Sequence, residues 1–151
     1  MKKILLILIL FLCIHSFAQN QAANWYFGES AGIYFDIASG SVSSVYGGQL
    51  NTREGCTSIS DKNGDLLFYT DGSIVYNRNH EVMLGGTGLY GDSSSTQSAL
   101  VVPKPENTDI YYIFTVDTGA VDSSDFGFNY SIFDVTLDGG RAFKSHFTIK
   151  R

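Results

Sequence analysis

The sequence is poor in the residue types that several functional classes require. Its 151 residues include two cysteines, two prolines, three histidines and ten basic side chains. No His-x-x-x-His or Cys-x-x-Cys spacing occurs, so a zinc site is not indicated. Phosphate binding needs clustered Lys and Arg, which counts against nucleic acid as a partner. After the first eighteen residues no stretch has the i, i+3, i+4, i+7 apolar spacing of an amphipathic helix, so we predict almost no helix there.

The amino terminus has the pattern of a secretory signal peptide. Lys2 and Lys3 precede an apolar run from Ile4 to Ile14, and Ser16 and Ala18 are small residues at the positions that a signal peptidase reads. The run is shorter than the roughly 20 residues that span a bilayer, which disfavours the alternative of a membrane anchor. We therefore predict a signal peptide over residues 1–18 and an exported protein, secreted or at the outer cell surface.

Cleavage after Ala18 changes both the charge and the cysteine content. It removes Lys2, Lys3 and Cys13, which leaves eight basic and fifteen acidic side chains, a net charge of −7. Cys56 then remains alone and cannot form an internal disulfide. We interpret it as a small apolar residue on an inward strand face, since free cysteine is among the most buried residue types. Pairing with another chain is the alternative.

Residues 54–84 read as a complete antiparallel meander of four short strands. Asn63-Gly64 and Asp71-Gly72 are dipeptides that tolerate positive φ at both central turn positions, which matches the twist of a hairpin. Asn79-His80 provides the third turn, with His80 expected to be exposed, and Glu81 to Leu84 the fourth strand. The polar segment Gly85 to Thr96 is expected to be a connection.

A second unit of four strands is predicted over residues 98–149. Two of its segments resemble the first unit: YIFTVDTG at 112–119 matches LLFYTDG at 66–72, and SIFDV at 131–135 matches SIVYN at 73–77. A four-strand repeat at 40 to 50 residues is typical of WD40-like β-propellers, in which each sheet is a blade. Two blades do not close a ring, so residues 19–151 are expected to be an incomplete propeller domain, with residues 24–36 supplying closing strands. A β-sandwich of about ten strands is the alternative.

Four strings in this order resemble a known family: NWYFGESAGIYFD, EGCTSISDKNGDLLFYTDGSIVYNRNHEVM, SSSTQSALVVPKPENTDIYYIFTVD and NYSIFDVTLDGG. They are similar to the amino-terminal region of large exported surface proteins of gliding bacteria. In that family the region looks like a propeller, PKD-type domains can follow, and a carboxy-terminal gliding-motility-associated segment directs type IX secretion. The resemblance implies a surface location and a larger polypeptide. No sorting segment is present here, which would leave such a chain in the periplasm.

Asp61, Asn63 and Asp65 have the alternating oxygen donors that begin a calcium loop. The distal bidentate glutamate is absent, and a hairpin turn already explains the pattern. We therefore expect no metal or other cofactor, with Ca²⁺ at these residues as the alternative.

The sequence gives little indication of a catalytic site. A glycosidase needs two carboxylates roughly 5 to 9.5 Å apart, and Glu54, Glu81 and Asp71 are candidates. Most acidic residues sit in turns, however, where Asp is favoured for backbone reasons. We predict a non-catalytic surface module for adhesion, scaffolding or binding of a protein or glycan. A glycoside hydrolase or lyase with Glu54 at the axial mouth of the propeller is the alternative.

Aromatic side chains are the remaining candidates for recognition, because Tyr and Trp combine a large rigid body with one polar tip. Tyr90, in a loop, and Trp25 are the predicted ligand-binding residues, together with Glu54. For strand residues such as Trp25, the competing interpretation is packing between neighbouring sheets.

Overall fold

The computed structural model describes residues 20–118 and 126–137 with their side chains, and residues 141–149 by their backbone. The described residues form eleven strands and one short 3₁₀ helix, Asn20–Ala22. The all-β prediction is confirmed, whereas the predicted signal peptide lies outside the described residues. The strands are β1 (Asn24–Tyr26), β2 (Ala31–Asp36), β3 (Ser41–Tyr46), β4 (Thr57–Ser60), β5 (Leu66–Thr70), β6 (Ile74–Asn77), β7 (Val82–Thr87), β8 (Ala99–Pro103), β9 (Ile110–Val116), β10 (Phe128–Asp134) and β11 (Arg141–Ile149).

The strands form three successive antiparallel meanders, here called sheet 1 (β1–β3), sheet 2 (β4–β7) and sheet 3 (β8–β11). Sheets 2 and 3 touch at their last strands, where β7 and β11 run parallel and pair at Leu84 and Arg141. This one register position links them in the order β4-β5-β6-β7-β11-β10-β9-β8. The described strands do not close into a ring, so the propeller itself remains a prediction.

Sheet 2 is the meander predicted from residues 54–84. Both predicted hairpins are present, and Gly64 and Gly72 have φ angles of 94° and 91°. Asn63 and Asp71 do not have positive φ, so the conformation expected at both central positions is found only at the glycines. The carboxylate of Asp71 accepts hydrogen bonds from the backbone N–H groups of Ser73 (2.8 Å) and Ile74 (3.0 Å). Side chain and backbone therefore specify the same turn.

The fourth strand of sheet 2 differs from the prediction. Strand β7 continues to Thr87 instead of ending at Leu84, so the connection to sheet 3 is shorter than expected. Gly85 has a φ of 75°, and a Cβ on Gly86 would lie 2.9 Å from the carbonyl oxygens of Val75 and Met83. The two glycines bend the strand as a bulge and let it pack closely, whereas their composition suggested a loop.

The internal repeat falls on equivalent strands. The matched segments at 66–72 and 112–119 include the second strands, β5 and β9, and those at 73–77 and 131–135 include the third strands, β6 and β10. The segment at 112–119 is described up to residue 118, since residues 119–125 lie outside the described range. Sequence similarity and position in the meander therefore agree.

Sheet 1 contains the strands that were expected to close a ring. Strands β1 and β2 pair with each other, and β2 also pairs with β3, which spans Ser41–Tyr46. Sheet 1 lies against β4 of sheet 2, where the Asn24 side chain donates to the Ser60 hydroxyl (3.0 Å) and the Tyr26 N–H donates to the Ser58 hydroxyl (2.9 Å). These bonds fix β1 beside the first strand of sheet 2.

The main core lies between sheets 2 and 3. Phe68 of β5 is fully buried, with its ring centroid 5.5 Å from that of Tyr111 and 5.8 Å from that of Phe133. Full burial of a phenylalanine side chain contributes about 2 to 3 kcal/mol. The remaining buried members of this cluster are Ile59, Leu67, Val75, Met83, Leu89, Ala99 and Ile113.

A β-bulge determines which face each residue of β5 occupies. Ile59 pairs with Phe68 but Ser60 pairs with Leu66, so Leu67 is the extra residue. Leu67 and Phe68 consequently join the core toward sheet 3, whereas Leu66 packs with Tyr69 toward sheet 1. Strand β5 is therefore buried on both faces.

Two threonines at the ends of the second strands provide a stability test. Both are almost fully buried, but the Thr70 hydroxyl donates to Ile74 O and accepts from Gly72 N–H, whereas the Thr115 hydroxyl has no partner among the described residues. We expect Thr115→Val to raise the free energy of unfolding by about 1 kcal/mol, because an unpaired buried hydroxyl is removed. Thr70→Val should lower it by about 1 to 2 kcal/mol.

Guanidinium chloride unfolding followed by Trp25 fluorescence measures both changes. Equal destabilisation by the two substitutions would contradict the assignment of an unpaired hydroxyl at Thr115, since it would mean that this hydroxyl is hydrogen-bonded in solution.

Candidate functional site

A groove with a volume of about 630 Å³ lies beside the first strands of the three sheets. Strand β1 lies against β4, and β4 lies against β8, so equivalent strands follow one another around the groove. Its walls come from Trp25 to Phe27, Cys56 to Ile59 and Pro103, with Gln21 and Ala22 at one end. The lining is mostly apolar and aromatic, as in many ligand sites.

Trp25 is the most prominent side chain of the groove, with 47% of its surface exposed. Its indole Nε1–H donates to the carbonyl oxygen of Ala22 at 2.8 Å. The ring also makes edge contacts with Phe35 (5.5 Å between centroids) and Phe27 (6.4 Å). These contacts limit the rotamers of an exposed aromatic ring, so little conformational entropy is lost when a ligand covers it.

Cys56 contributes a sulfur to the wall of the groove and is half-buried. It packs against the buried cluster of Tyr26, Leu50 and Tyr69, but it lies just before β4 and not on the strand as expected. Its Sγ–H donates to the carbonyl oxygen of Tyr26 at 3.3 Å. Burial raises the pKa of the thiol, and the nearby Asp71 carboxylate raises it further. The thiol is therefore protonated at neutral pH and is a weak nucleophile.

A cluster of aromatic rings supports the groove from behind. Tyr26 stacks on Tyr69, with 4.6 Å between the ring centroids, and the ring of His80 contacts both. The hydroxyl oxygen of Tyr69 accepts a hydrogen bond from Gln49 N–H (3.1 Å) and is hydrogen-bonded to His80 Nδ1 (3.0 Å). His80 was expected to be an exposed turn residue. It occupies the turn with a φ of 64°, but its ring packs inward on tyrosines that sequence spacing does not bring near.

The other two predicted ligand residues lie elsewhere. The Glu54 carboxylate accepts a hydrogen bond from the Thr96 hydroxyl at 3.2 Å, and Gly55 N–H donates to Ser95 O at 3.0 Å. Tyr90 stacks on Phe126 at 4.5 Å with nearly parallel rings. Glu54 thus meets the connection that carries Tyr90, but neither residue lines the groove beside Trp25.

The predicted calcium residues form the first hairpin of sheet 2. The Asp61 Oδ1 atom accepts hydrogen bonds from the backbone N–H groups of Asn63 (2.8 Å) and Asp65 (3.0 Å). One oxygen of Asp61 therefore already serves the turn. Over residues 20–118 and 126–137, no group of three His, Cys, Asp or Glu side chains is arranged to hold a metal ion.

An aspartate recurs at the end of each second strand, and the matched segments at 66–72 and 112–119 align Asp71 with Asp117 but do not include Asp36. The carboxylates of Asp36 and Asp71 accept backbone N–H groups of the turn that follows, from Ala38 (2.9 Å) and Ser73 (2.8 Å). The carboxylate of Asp117 accepts a hydrogen bond from Phe126 N–H (2.6 Å), at the start of the next described segment. The hydrogen bond from the Ser39 hydroxyl lowers the pKa of Asp36 most. The hydrogen bonds from the Ser39 and Ala38 N–H groups lower it further. Aligning the ends of the strands would have shown this pattern. Asp71 therefore stabilises the turn that follows β5.

No family model, curated protein or solved structure matches this chain. Among the described residues, no helix has the length and apolar character needed to cross a bilayer.

The Tyr69 hydroxyl gives a pH-dependent test of the support behind the groove. Burial raises the pKa of Tyr69 to about 12, from 10.0. Below pH 10 both the folded and unfolded chains keep the proton, and between pH 10 and 12 only the unfolded chain loses it. The free energy of unfolding should therefore fall with rising pH in this window, by about 2 to 3 kcal/mol in total from this residue.

Tyr69→Phe should reduce the loss of stability between pH 10 and 12 relative to the wild type, because the ionising hydroxyl is removed. At pH 7 it should lower the free energy of unfolding by about 1 kcal/mol, because two hydrogen bonds are lost. Denaturant unfolding at a series of pH values from neutral to strongly alkaline measures both effects. Tyr46→Phe, which removes an exposed hydroxyl, is the control. If Tyr69→Phe keeps the full loss of stability above pH 10, the assignment to Tyr69 is wrong.

Proposed function

We propose that this chain is an exported, non-catalytic surface module, built on the plan of a β-propeller, that binds a glycan or a surface protein in the groove beside Trp25. The exposed and rigidly held indole at the wall of a largely apolar groove is the observation that carries this proposal. Adhesion and scaffolding at the cell surface are the roles that such binding would serve.

The arrangement of the sheets supports the propeller plan. Three meanders follow one another along the chain, and their first strands lie side by side at the groove. In a propeller, the blades repeat around a central channel in this way. The groove would then lie at the mouth of that channel.

The lining of the groove favours an uncharged ligand surface. None of its residues is charged, and its sulfur is a protonated thiol. An indole ring offers a flat apolar face that suits the C–H face of a sugar ring or an apolar side chain of a partner protein. The Ser58 hydroxyl and the Gln21 amide lie along the same groove and can bind polar groups at its edge.

Export is the part of the proposal that depends on residues 1–18. The cationic start, the apolar run and the small residues before Gln19 motivate it. The net charge of −7 after cleavage suits an exported surface module and disfavours nucleic acid.

Binding to a panel of polysaccharides and to outer-surface protein extracts, measured by calorimetry or biolayer interferometry, tests the groove. Trp25→Ala should weaken binding by about 10- to 30-fold, because a central aromatic anchor is lost. The matched control is Tyr46→Ala, which removes an aromatic ring that is 79% exposed on sheet 1 but lies outside the groove. It should leave the affinity unchanged. Equal affinity of the wild type and Trp25→Ala would refute the assignment of the groove.

The same panel of polysaccharides distinguishes binding without turnover from the enzymatic alternative. A glycan-processing enzyme would release shorter products from one of the polysaccharides, and Glu54→Gln would abolish that release if Glu54 were its acid or base. We expect binding without turnover. Product formation that depends on Glu54 would overturn the non-catalytic assignment while leaving the export and the fold intact.

A further inference from the structure

The hydroxyl of Tyr69 has one proton and, among the described residues, one group that can accept it. Tyr69 is fully buried, so water does not reach this hydroxyl. Its oxygen accepts a hydrogen bond from the backbone N–H of Gln49, a group that can only donate. The other partner is Nδ1 of His80, at 3.0 Å. The hydroxyl proton therefore points at Nδ1, and this nitrogen is the acceptor.

This arrangement determines the protonation state of His80. An imidazole nitrogen accepts a hydrogen bond only when it carries no proton, so the ring is neutral and its one proton lies on Nε2. A second proton would make Nδ1 a donor as well. The Tyr69 oxygen would then face two donors, and its own buried proton would lose its partner. An unpaired buried donor is costly, so the contact favours the neutral ring.

The surroundings of His80 do not compensate a positive charge on its ring. The titratable and charged groups near it are Tyr26 of β1, Tyr69 of β5, Tyr76 of β6, which stacks on Tyr69, and the exposed Arg78 and Glu81 of its own turn. Burial raises the pKa of all three tyrosines, so their phenols are uncharged at neutral and acidic pH. Gly47, which also borders the ring, carries no charge. Within residues 20–118 and 126–137, no acidic side chain forms an ion pair with His80.

The turn that carries His80 is held without the help of its ring. The N–H of His80 donates to the carbonyl oxygen of Asn77 at 3.0 Å. The Asn77 Oδ1 atom accepts from the N–H groups of Asn79 (2.8 Å) and Glu81 (3.0 Å). Because His80 is partly exposed in this turn, its ring can rotate toward water while the strands stay paired. Tyr69 lies in a strand that is buried on both faces and cannot follow it.

We propose that His80 is a pH-sensitive support of the groove beside Trp25. In its neutral form the ring accepts the proton of Tyr69 and packs edge-on against Tyr26, whose ring lines the groove. In mildly acidic solution, where histidine ordinarily takes up a second proton, the ring leaves Tyr69 and turns toward water. Tyr26 then loses one of the contacts that hold it, so binding in the groove should weaken in acid. This consequence for binding rests on the proposed function, whereas the switch itself does not.

Nuclear magnetic resonance of the purified full chain, with isotope-labelled histidine, tests the protonation state directly. Above the pH range in which histidine titrates, we expect a proton on Nε2 of His80 and none on Nδ1. The signals of His80 are identified by their absence from the spectrum of His80→Asn. A proton on Nδ1 would overturn the proposal, since Tyr69 would then have to donate elsewhere.

Denaturant unfolding at about pH 7.5 and about pH 5.5 tests the switch. The unfolded chain takes up the histidine proton freely, whereas the folded chain must give up the bond to Tyr69. The free energy of unfolding should therefore fall as the pH drops through about 6.5, and the midpoint should move to lower denaturant concentration. His80→Asn should lose most of this shift, because asparagine does not titrate. Asparagine also tolerates the φ of 64° at this position.

Tyr69→Phe provides the complementary variant. It keeps the stacked ring but removes the hydroxyl proton, so protonation of His80 no longer leaves a buried donor unpaired and the shift should shrink. The matched control is Tyr76→Phe, which removes the hydroxyl of the tyrosine stacked on the other side of Tyr69 and should keep the shift. A midpoint shift as large in His80→Asn or Tyr69→Phe as in the wild type would contradict the assignment.

The link to the groove has its own measurement. The aromatic resonances of Tyr26 should change together with those of His80 as the pH falls, and should stay constant over this range in His80→Asn. Resonances of Tyr26 that do not respond in the wild type would refute the link. These measurements need no ligand. Failure of the proposed binding function would therefore appear only in the affinity panel, and failure of the switch only in the pH response.

Discussion

Strand β5 is buried on both of its faces, and the positions of the neighbouring sheets depend on this. Phe68 faces sheet 3 and Tyr69 faces sheet 1, so two adjacent residues each anchor a different neighbour. The bulge at Leu67 makes the division possible, because it places one additional side chain in the core toward sheet 3 without displacing Tyr69. Without the bulge, the side chains of the first residues of β5 would lie on the opposite faces of the sheet and would not join the clusters in which they are found.

This constraint reaches the groove through Tyr69. The stacked ring of Tyr26 lies on Tyr69, and Tyr26 belongs to β1, next to Trp25. Tyr69 therefore holds strand β1 in place, whereas the indole itself is held by Ala22 O, Phe27 and Phe35. The hydrogen bonds with Gln49 and His80 fix the Tyr69 hydroxyl at the far end of its ring. A rigid support behind an exposed aromatic ring is what a binding site needs, because a ligand then loses little affinity to the ordering of side chains.

Local sequence signals predicted much of this fold, and the candidate site less. The dipeptides Asn63-Gly64 and Asp71-Gly72 marked the positions of two hairpins correctly, because each glycine adopts the positive φ that its turn needs. The carboxylates of Asp61 and Asp71 add hydrogen bonds to the same turns. The predicted end of β7 was wrong. Gly85 and Gly86 are a residue type that is common in turns, whereas here they lie within the strand and allow it to pack closely against its neighbour. Trp25 was identified as a candidate, but the groove beside it joins residues 21–27, 56–59 and 103, which only the packing of the sheets brings together. The inward position of His80 was missed for the same reason.

The alternation of strand side chains explains why the same repeat produces both a core and an exposed apolar face. Sheets 2 and 3 each have two faces rich in aromatic and branched residues, and a middle sheet such as sheet 2 must bury both. Among the described residues only one face of sheet 3 packs against another sheet, so Leu100 and Phe128 on its other face remain partly exposed. The strongly negative charge of the rest of the chain opposes nonspecific association of such a face.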